Sequence, residues 1–267
     1  MSRNKVLLGG GAVAIAVFAI GAWWLGFFSE APEEVNITDL AEAVEEQAEP
    51  EPEPEQAEQE QAEPEQAEPE QAEPEQAEPE QAEPEGATIE SLDGTWNVTP
   101  IEDQTFVGYR INEVLSTIGD FEVVGRTAAV TGTLEGSGTS IAAVDIVADM
   151  SAITTDNPAR DNAMRSQALE TGDFPNATFT LVDPFDLGSI PAEGVSLSVT
   201  AVGDLTIHGV TQRVEFPLEA QIQSGSIVVT GQLLVQLSDY DIDAPSAPIV
   251  ASVEDVATLE LALVFSR

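Results

Sequence analysis

The chain has 267 residues, with 49 Asp and Glu against 8 Lys and Arg, one His, no Cys and a formal net charge of −41. That surplus of acid repels a phosphate backbone and disfavours nucleic-acid binding. The lack of thiols excludes disulfide scaffolds, cysteine zinc sites and thiol catalysis, and one histidine cannot build a histidine-rich metal site.

At the N-terminus, Arg3 and Lys5 precede Val6 to Phe28, 23 residues without a charge. As a helix this run would be roughly 35 Å long, enough to cross a hydrocarbon core of about 30 Å. Trp23, Trp24, Phe27 and Phe28 fall where an aromatic belt meets the far interface. Residues 1–28 therefore read as a single-pass membrane anchor. With the cations before the span, the rest of the chain is expected on the extracytoplasmic side of the cell membrane. The alternative is a signal peptide cleaved near Ser29-Glu30-Ala31, although such peptides carry a shorter apolar core of about 7–15 residues.

Residues 29–87 carry 23 acids and no Lys or Arg, and from Glu53 to Ala87 a five-residue unit, Glu-Pro-Glu-Gln-Ala, runs seven times with two exchanges. Proline every fifth residue blocks a continuous helix, and little apolar surface is available to bury. This segment reads as a disordered, low-complexity acidic linker whose 35 repeat residues reach on the order of 100 Å. A short helix is allowed from Thr38 to Glu46, with Leu40 and Val44 on one face.

Residues 88–267 are the part able to build a core. They hold 26 of the acids and six arginines, a net charge of about −20, and no lysine. Their apolar periodicity is mostly two, the mark of half-buried strands. Val107, Tyr109 and Ile111 share a face, as do Phe179 and Leu181, then Leu197 and Val199, and then Phe216 and Leu218. Further strands are expected at Thr127–Leu134, Ile141–Met150 (Val144, Ile146), Ile227–Leu237 (Leu233, Val235) and Ala257–Phe265 (Leu261, Leu263). Gly136-Ser137-Gly138, His208-Gly209 and Ser224-Gly225 supply turns. Eight or so sequential antiparallel strands suggest an all-β closed barrel. One helix interrupts them. Asn157 suits its N-cap, Pro158 its first position and Gly172 its stop. It is either a lid on one barrel end or an ordinary crossover outside the sheet. Asp161 and Arg165 stand four apart, as an ion pair on that helix would.

Five motifs occur in order: Gly94-Thr95-Trp96, Phe106-Val-Gly-Tyr109, Asp156-Asn-Pro-Ala-Arg160-Asp161-Asn-Ala-Met-Arg165, Phe174-Pro175-Asn-Ala-Thr-Phe179 and Gly203-Asp-Leu-Thr-Ile-His-Gly-Val-Thr211. Together they resemble the YceI-like family of lipocalin-like, lipid-binding proteins over residues 93–267. Asp103-Gln104-Thr105 departs from the family, standing where many members carry a His-Ser pair. The resemblance implies an eight-stranded antiparallel barrel whose interior holds a long isoprenoid or similar lipid. No cofactor, metal or nucleic-acid partner is expected. Val107, Tyr109, Ile111, Val144, Ile146, Phe179, Leu181, Leu197, Val199, Phe216, Leu218, Leu233, Val235, Leu261 and Leu263 would line the cavity. Arg160 and Arg165 would stand at its rim, near a polar head group. The inward positions offer neither a paired acid and base nor a nucleophile with its base, so a binding protein is expected rather than an enzyme. A ligand-free interaction module on a filled barrel is the alternative. Trp96 is expected to plug the core and His208 to serve its turn.

Overall fold

The computed structural model describes residues 31–48, 89–245 and 247–267. The expected anchor, and the repeats of the linker, lie outside these. Among the described residues no helix is long and apolar enough to cross a membrane.

The strands are β1 (Gly94–Val98), β2 (Phe106–Leu115), β3 (Gly119–Thr127), β4 (Val130–Ser137), β5 (Ser140–Asp149), β6 (Asn176–Leu181), β7 (Phe185–Asp186), β8 (Leu197–Ile207), β9 (Val210–Gln223), β10 (Ser226–Gln236) and β11 (Val250–Ser266). β1 and β2 run successively along β11, and β3 and β4 form the next wall segment. Counting each of those couples as one broken strand, the wall is an eight-stranded antiparallel meander. It closes where Asn97 and Val98 of β1 meet Ser266 and Phe265 of β11. The 17 residues of β11 carry β10 along one edge and β2, then β1, along the other.

Alternation sets the inner face. On β8, Leu197, Val199, Ala201, Leu205 and Ile207 point in while Ser198 and Thr200 are exposed. Across from it, Leu218 pairs with Val199 and Phe216 with Ala201. The turn between β8 and β9 is the two-residue type expected, with φ of 52° at His208 and 75° at Gly209. Both positive angles match a type I′ hairpin, which only Gly adopts without strain and which a lone His accepts at some cost. His208 is held by Tyr240 O (3.2 Å), by Glu170 Oε2 (3.0 Å) and edge-on by the Phe174 ring. It ties three elements together at one barrel end, in keeping with a turn role.

Among the described residues there are two short α-helices. α1 (Ile37–Ala48) starts at Asn36, whose Oδ1 accepts from Thr38 N. α2 (Pro158–Ala163) starts at Asn157, whose Oδ1 accepts from Ala159 N and Arg160 N, and it continues into a π-helical turn at Met164–Ala168. The helix allowed for in the linker is thus present, and it is docked. Ile37, Leu40, Ala41 and Val44 are buried against Ile101, Phe106, Val228, Ala262 and Val264 on the outer wall. The apolar runs Ile227-Val228-Val229 and Leu263-Val264-Phe265 belong to strands covered on both faces, inside by the core and outside by α1.

Candidate functional site

The interior of the barrel is hollow. A cavity of about 250 Å3 runs through it, bounded almost wholly by aliphatic and aromatic side chains. It borders the inward side chains of β8 from Leu197 to Ile207, namely Leu197, Val199, Ala201, Leu205 and Ile207. At about 3.3 Å per residue and a strand tilt near 40°, those positions extend roughly 25 Å along the barrel axis. Val107, Val144, Phe179, Val199, Leu218 and Leu261 point inward yet are only half-buried, because the space they face is open rather than filled.

Of the residues expected to line the interior, Val107, Tyr109, Ile111, Val144, Ile146, Phe179, Leu181, Leu197, Val199, Phe216, Leu218, Val235, Leu261 and Leu263 do so. Leu233 does not. It packs half-buried against the core, opposite Leu259, and takes no part in the cavity wall. Glycines shape the wall beside its largest rings. A Cβ on Gly203 would stand 2.4 Å from Phe179 Cζ, and one on Gly125 2.4 Å from Tyr109 Cε1. These positions stay open because the neighbouring strand's ring lies flat across them.

The two ends differ. At one, Leu92 and Trp96 are almost fully buried; the Trp96 indole donates to Leu92 O (3.0 Å), and Arg267 lies 4.0 Å over its ring. Trp96 does not border the cavity, so it plugs the core. At the other end α2 caps the barrel, placing Met164, Ala168 and Leu169 on the cavity. Of the two readings of this helix, the lid is the one realised. Exposed Ala244 and half-buried Pro245 and Val253 also border the cavity there, which brings it to the surface at the α2 end.

The polar groups of the site gather at this end. Arg160 borders the cavity, donates to Glu113 Oε1 (2.8 Å), pairs with Asp156 and lies 5.5 Å from the centre of the Phe121 ring. Glu113 is buried and inward-facing. The Tyr109 hydroxyl is buried and has no hydrogen-bond partner among the described residues, and burial pushes its phenol pKa well up, so it stays neutral. Arg165, expected beside Arg160, is turned away. It donates to Ile153 O (2.8 Å) and Asn162 Oδ1 (3.1 Å), and it does not border the cavity. Its expected pairing with Asp161 is also absent. Asp161 accepts from Thr155 N and Oγ1 (both 2.7 Å), tying the loop before α2 to the helix. Glu113 went unnoticed in the sequence, although one more step of the Val107-Tyr109-Ile111 alternation reaches it. Among the described residues no three acidic or histidine side chains converge as metal ligands.

These features can be set beside known proteins. A polyisoprenoid binding domain from Saccharophagus degradans, implicated in plant cell wall breakdown, is similar in fold at 19% identity. The alignment covers 64% of this chain and 97% of that one with a TM-score of 0.50. BcnA of Burkholderia cenocepacia aligns at 17% identity over 59% of this chain and 95% of that one, with a TM-score of 0.42. A YCEI protein of Campylobacter jejuni, crystallised with large solvent channels, aligns at 18% over 52% and 82%, with a TM-score of 0.43. No curated protein matches the chain by sequence. The profile of the YceI-like domain matches residues 96–265, from the plugging Trp96 through the last inward residue of β11, and the chain belongs to the YceI-like family.

Proposed function

We propose that this domain binds a long apolar chain, an isoprenoid or similar lipid, inside its barrel, and that it does so as a membrane-tethered protein on the extracytoplasmic side. The observation that carries the reading is the open, elongated cavity whose wall residues are half-exposed to it, a waste of burial in a barrel with nothing to hold. The S. degradans domain of the same fold is described as polyisoprenoid binding, which agrees. The polar end at Arg160, Glu113 and Tyr109 suits a ligand with an apolar tail and one hydrogen-bonding terminus. Binding rather than catalysis fits these groups, since Arg160 is already engaged by two carboxylates.

Each methylene leaving water for the cavity gains about 0.8 kcal/mol, so ten carbons supply roughly 8 kcal/mol before the costs of association. A tail leaving a bilayer gains almost none of this. Preference for the barrel over the membrane then rests on shape fit and on the polar end. The test is organic extraction and mass spectrometry of the purified domain. One long-chain lipid at near-equimolar amount is expected, and a domain that comes out empty and takes up no lipid from vesicles would refute the reading in favour of a ligand-free interaction module.

A further inference from the structure

Residues 31–48 run as a strap along the outer wall of the barrel. At the far end of its path, α1 lies along β9 and β10 and buries Ile37, Leu40 and Val44 against Val228, Ala262 and Val264. Midway, Glu33 O accepts from Arg126 Nη2 (3.0 Å) and also from Arg110, and Pro32 O accepts from Arg110 Nη2 (2.7 Å). Under these carbonyls both arginines clamp Glu260, at 2.8 and 2.7 Å, and the Glu260 side chain is fully buried although it points away from the barrel interior. The strap then reaches Ala31 and Pro32, which share a shallow pocket with Glu122, Val124 and Thr154 to Asp156. Asp156 is the partner of Arg160, so the strap ends at the α2 rim, where the cavity comes to the surface.

The order of segments along the chain gives this placement a consequence. The charge-free run ends at Phe28, three residues before the strap, whereas the repeats lie after it. While the strap is docked, the repeats join two sites on one barrel and contribute no reach. The barrel is held close to whatever Val6–Phe28 is inserted in, with its α2 end foremost. At that end the β2–β3 hairpin exposes Val114 and Ile118, and exposed Ile249 lies beside them, its carbonyl oxygen accepting from Ser116 N (2.8 Å). These form an apolar lip at a surface that otherwise carries a net charge of about −20, which an anionic bilayer would repel.

We infer that residues 31–48 are a strap that holds the open end of the barrel against the lipid surface. The inference rests on reading Val6–Phe28 as a membrane anchor. It fixes the position of the proposed carrier, at the bilayer with its α2 end foremost, where lipid would exchange.

The experiment uses the full chain with a specific protease site inserted among the repeats, reconstituted in phosphatidylcholine vesicles. After cleavage, most of the barrel is expected to sediment with the vesicles, held by the strap alone, and Leu40→Glu with Val44→Glu should release most of it to the supernatant. Because the chain has no cysteine, Ile118→Cys and Ala192→Cys give single dye sites at opposite barrel ends. Energy transfer to labelled lipid should be several-fold stronger from position 118, and the two strap substitutions should remove the difference. Release of the barrel on cleaving the unsubstituted chain, or equal transfer from the two sites, overturns the strap. An uncleaved chain that fails to sediment overturns the anchor beneath it. Lipid extracted from the same barrel reports separately on the carrier reading, so the failures are distinguishable. If the doubly substituted barrel loses its cooperative melt, the cleavage and transfer results on the unsubstituted chain decide alone.

Discussion

Filling the cavity separates a carrier from a solid barrel. Val199 is the third of the eleven residues of β8, toward the Trp96 end of the cavity, half-buried, opposite Leu218, with its side chain bordering the cavity. Val199→Trp directs an indole into a space of about 250 Å3, across the Trp96-end stretch of the path a long tail would follow. In a well-packed core such overpacking costs about 1–3 kcal/mol. For a domain of this size each kcal/mol moves the melting temperature by about 2–4 °C, so a filled barrel would lose roughly 2–12 °C. In the hollow barrel the ring enters open space and recovers apolar contacts, so the variant should melt within about 2 °C of delipidated wild type. The same variant should lose bound lipid by mass spectrometry. The comparison must be with delipidated protein, since a ligand bound only by the native state raises the melting point by itself. A large drop in melting temperature, or a variant that still carries lipid at the wild-type ratio, refutes the reasoning.

What the sequence made legible follows from which physical signal each element carries. β9 alternates Val214, Phe216 and Leu218 with Arg213, Glu215 and Glu219, and a strand with one wet face writes its own orientation. β3 was not anticipated, because its alternation of Phe121 and Val123 is broken by Val124 and Gly125. Val124 is outward yet buried, at the rim where Ala31 and Pro32 lie against the barrel, and Gly125 is inward but yields its space to the Tyr109 ring. The spacing of Ile37, Leu40, Ala41 and Val44 marks an amphipathic helix, but its partners, from Ile101 to Val264, are distant in sequence, and only the doubly apolar runs of β10 and β11 hint at them. Arg165 departs from its expected place for a different reason. Helical spacing at 3.6 residues per turn predicts its direction, and the chain instead widens into a π-helical turn at Met164–Ala168, where Leu169 N donates to Met164 O (2.8 Å).

Three further outcomes are expected. Glu260→Gln removes the charge that two arginines share, and leaving those arginines without it in a covered site should cost about 3–5 kcal/mol, read as a lower urea midpoint with unchanged slope. Deleting several repeats between Glu53 and Ala82 should leave the melting temperature within about 1–2 °C, by calorimetry, and a larger fall would mean that the repeats pack on the barrel. The last concerns alkaline pH and the chain's two tyrosines, both buried with unpartnered hydroxyls among the described residues. Burial raises the Tyr240 phenol to about 12, and raises Tyr109 too, from an ordinary value near 10. In the unfolded chain both phenols shed their protons near pH 10, while the folded barrel keeps them. The unfolded state then binds fewer protons, so stability falls as pH rises above about 10; the share owed to Tyr240 levels off once it ionises in the fold near 12, while that owed to Tyr109 continues. Tyrosinate absorbance near 295 nm should therefore stay flat through pH 10 in the native protein and rise only with unfolding, in step with loss of the far-ultraviolet β signal. Ionisation of either tyrosine near pH 10 with the barrel intact would show that its hydroxyl reaches water, and for Tyr109 would contradict the buried polar end assigned to the cavity.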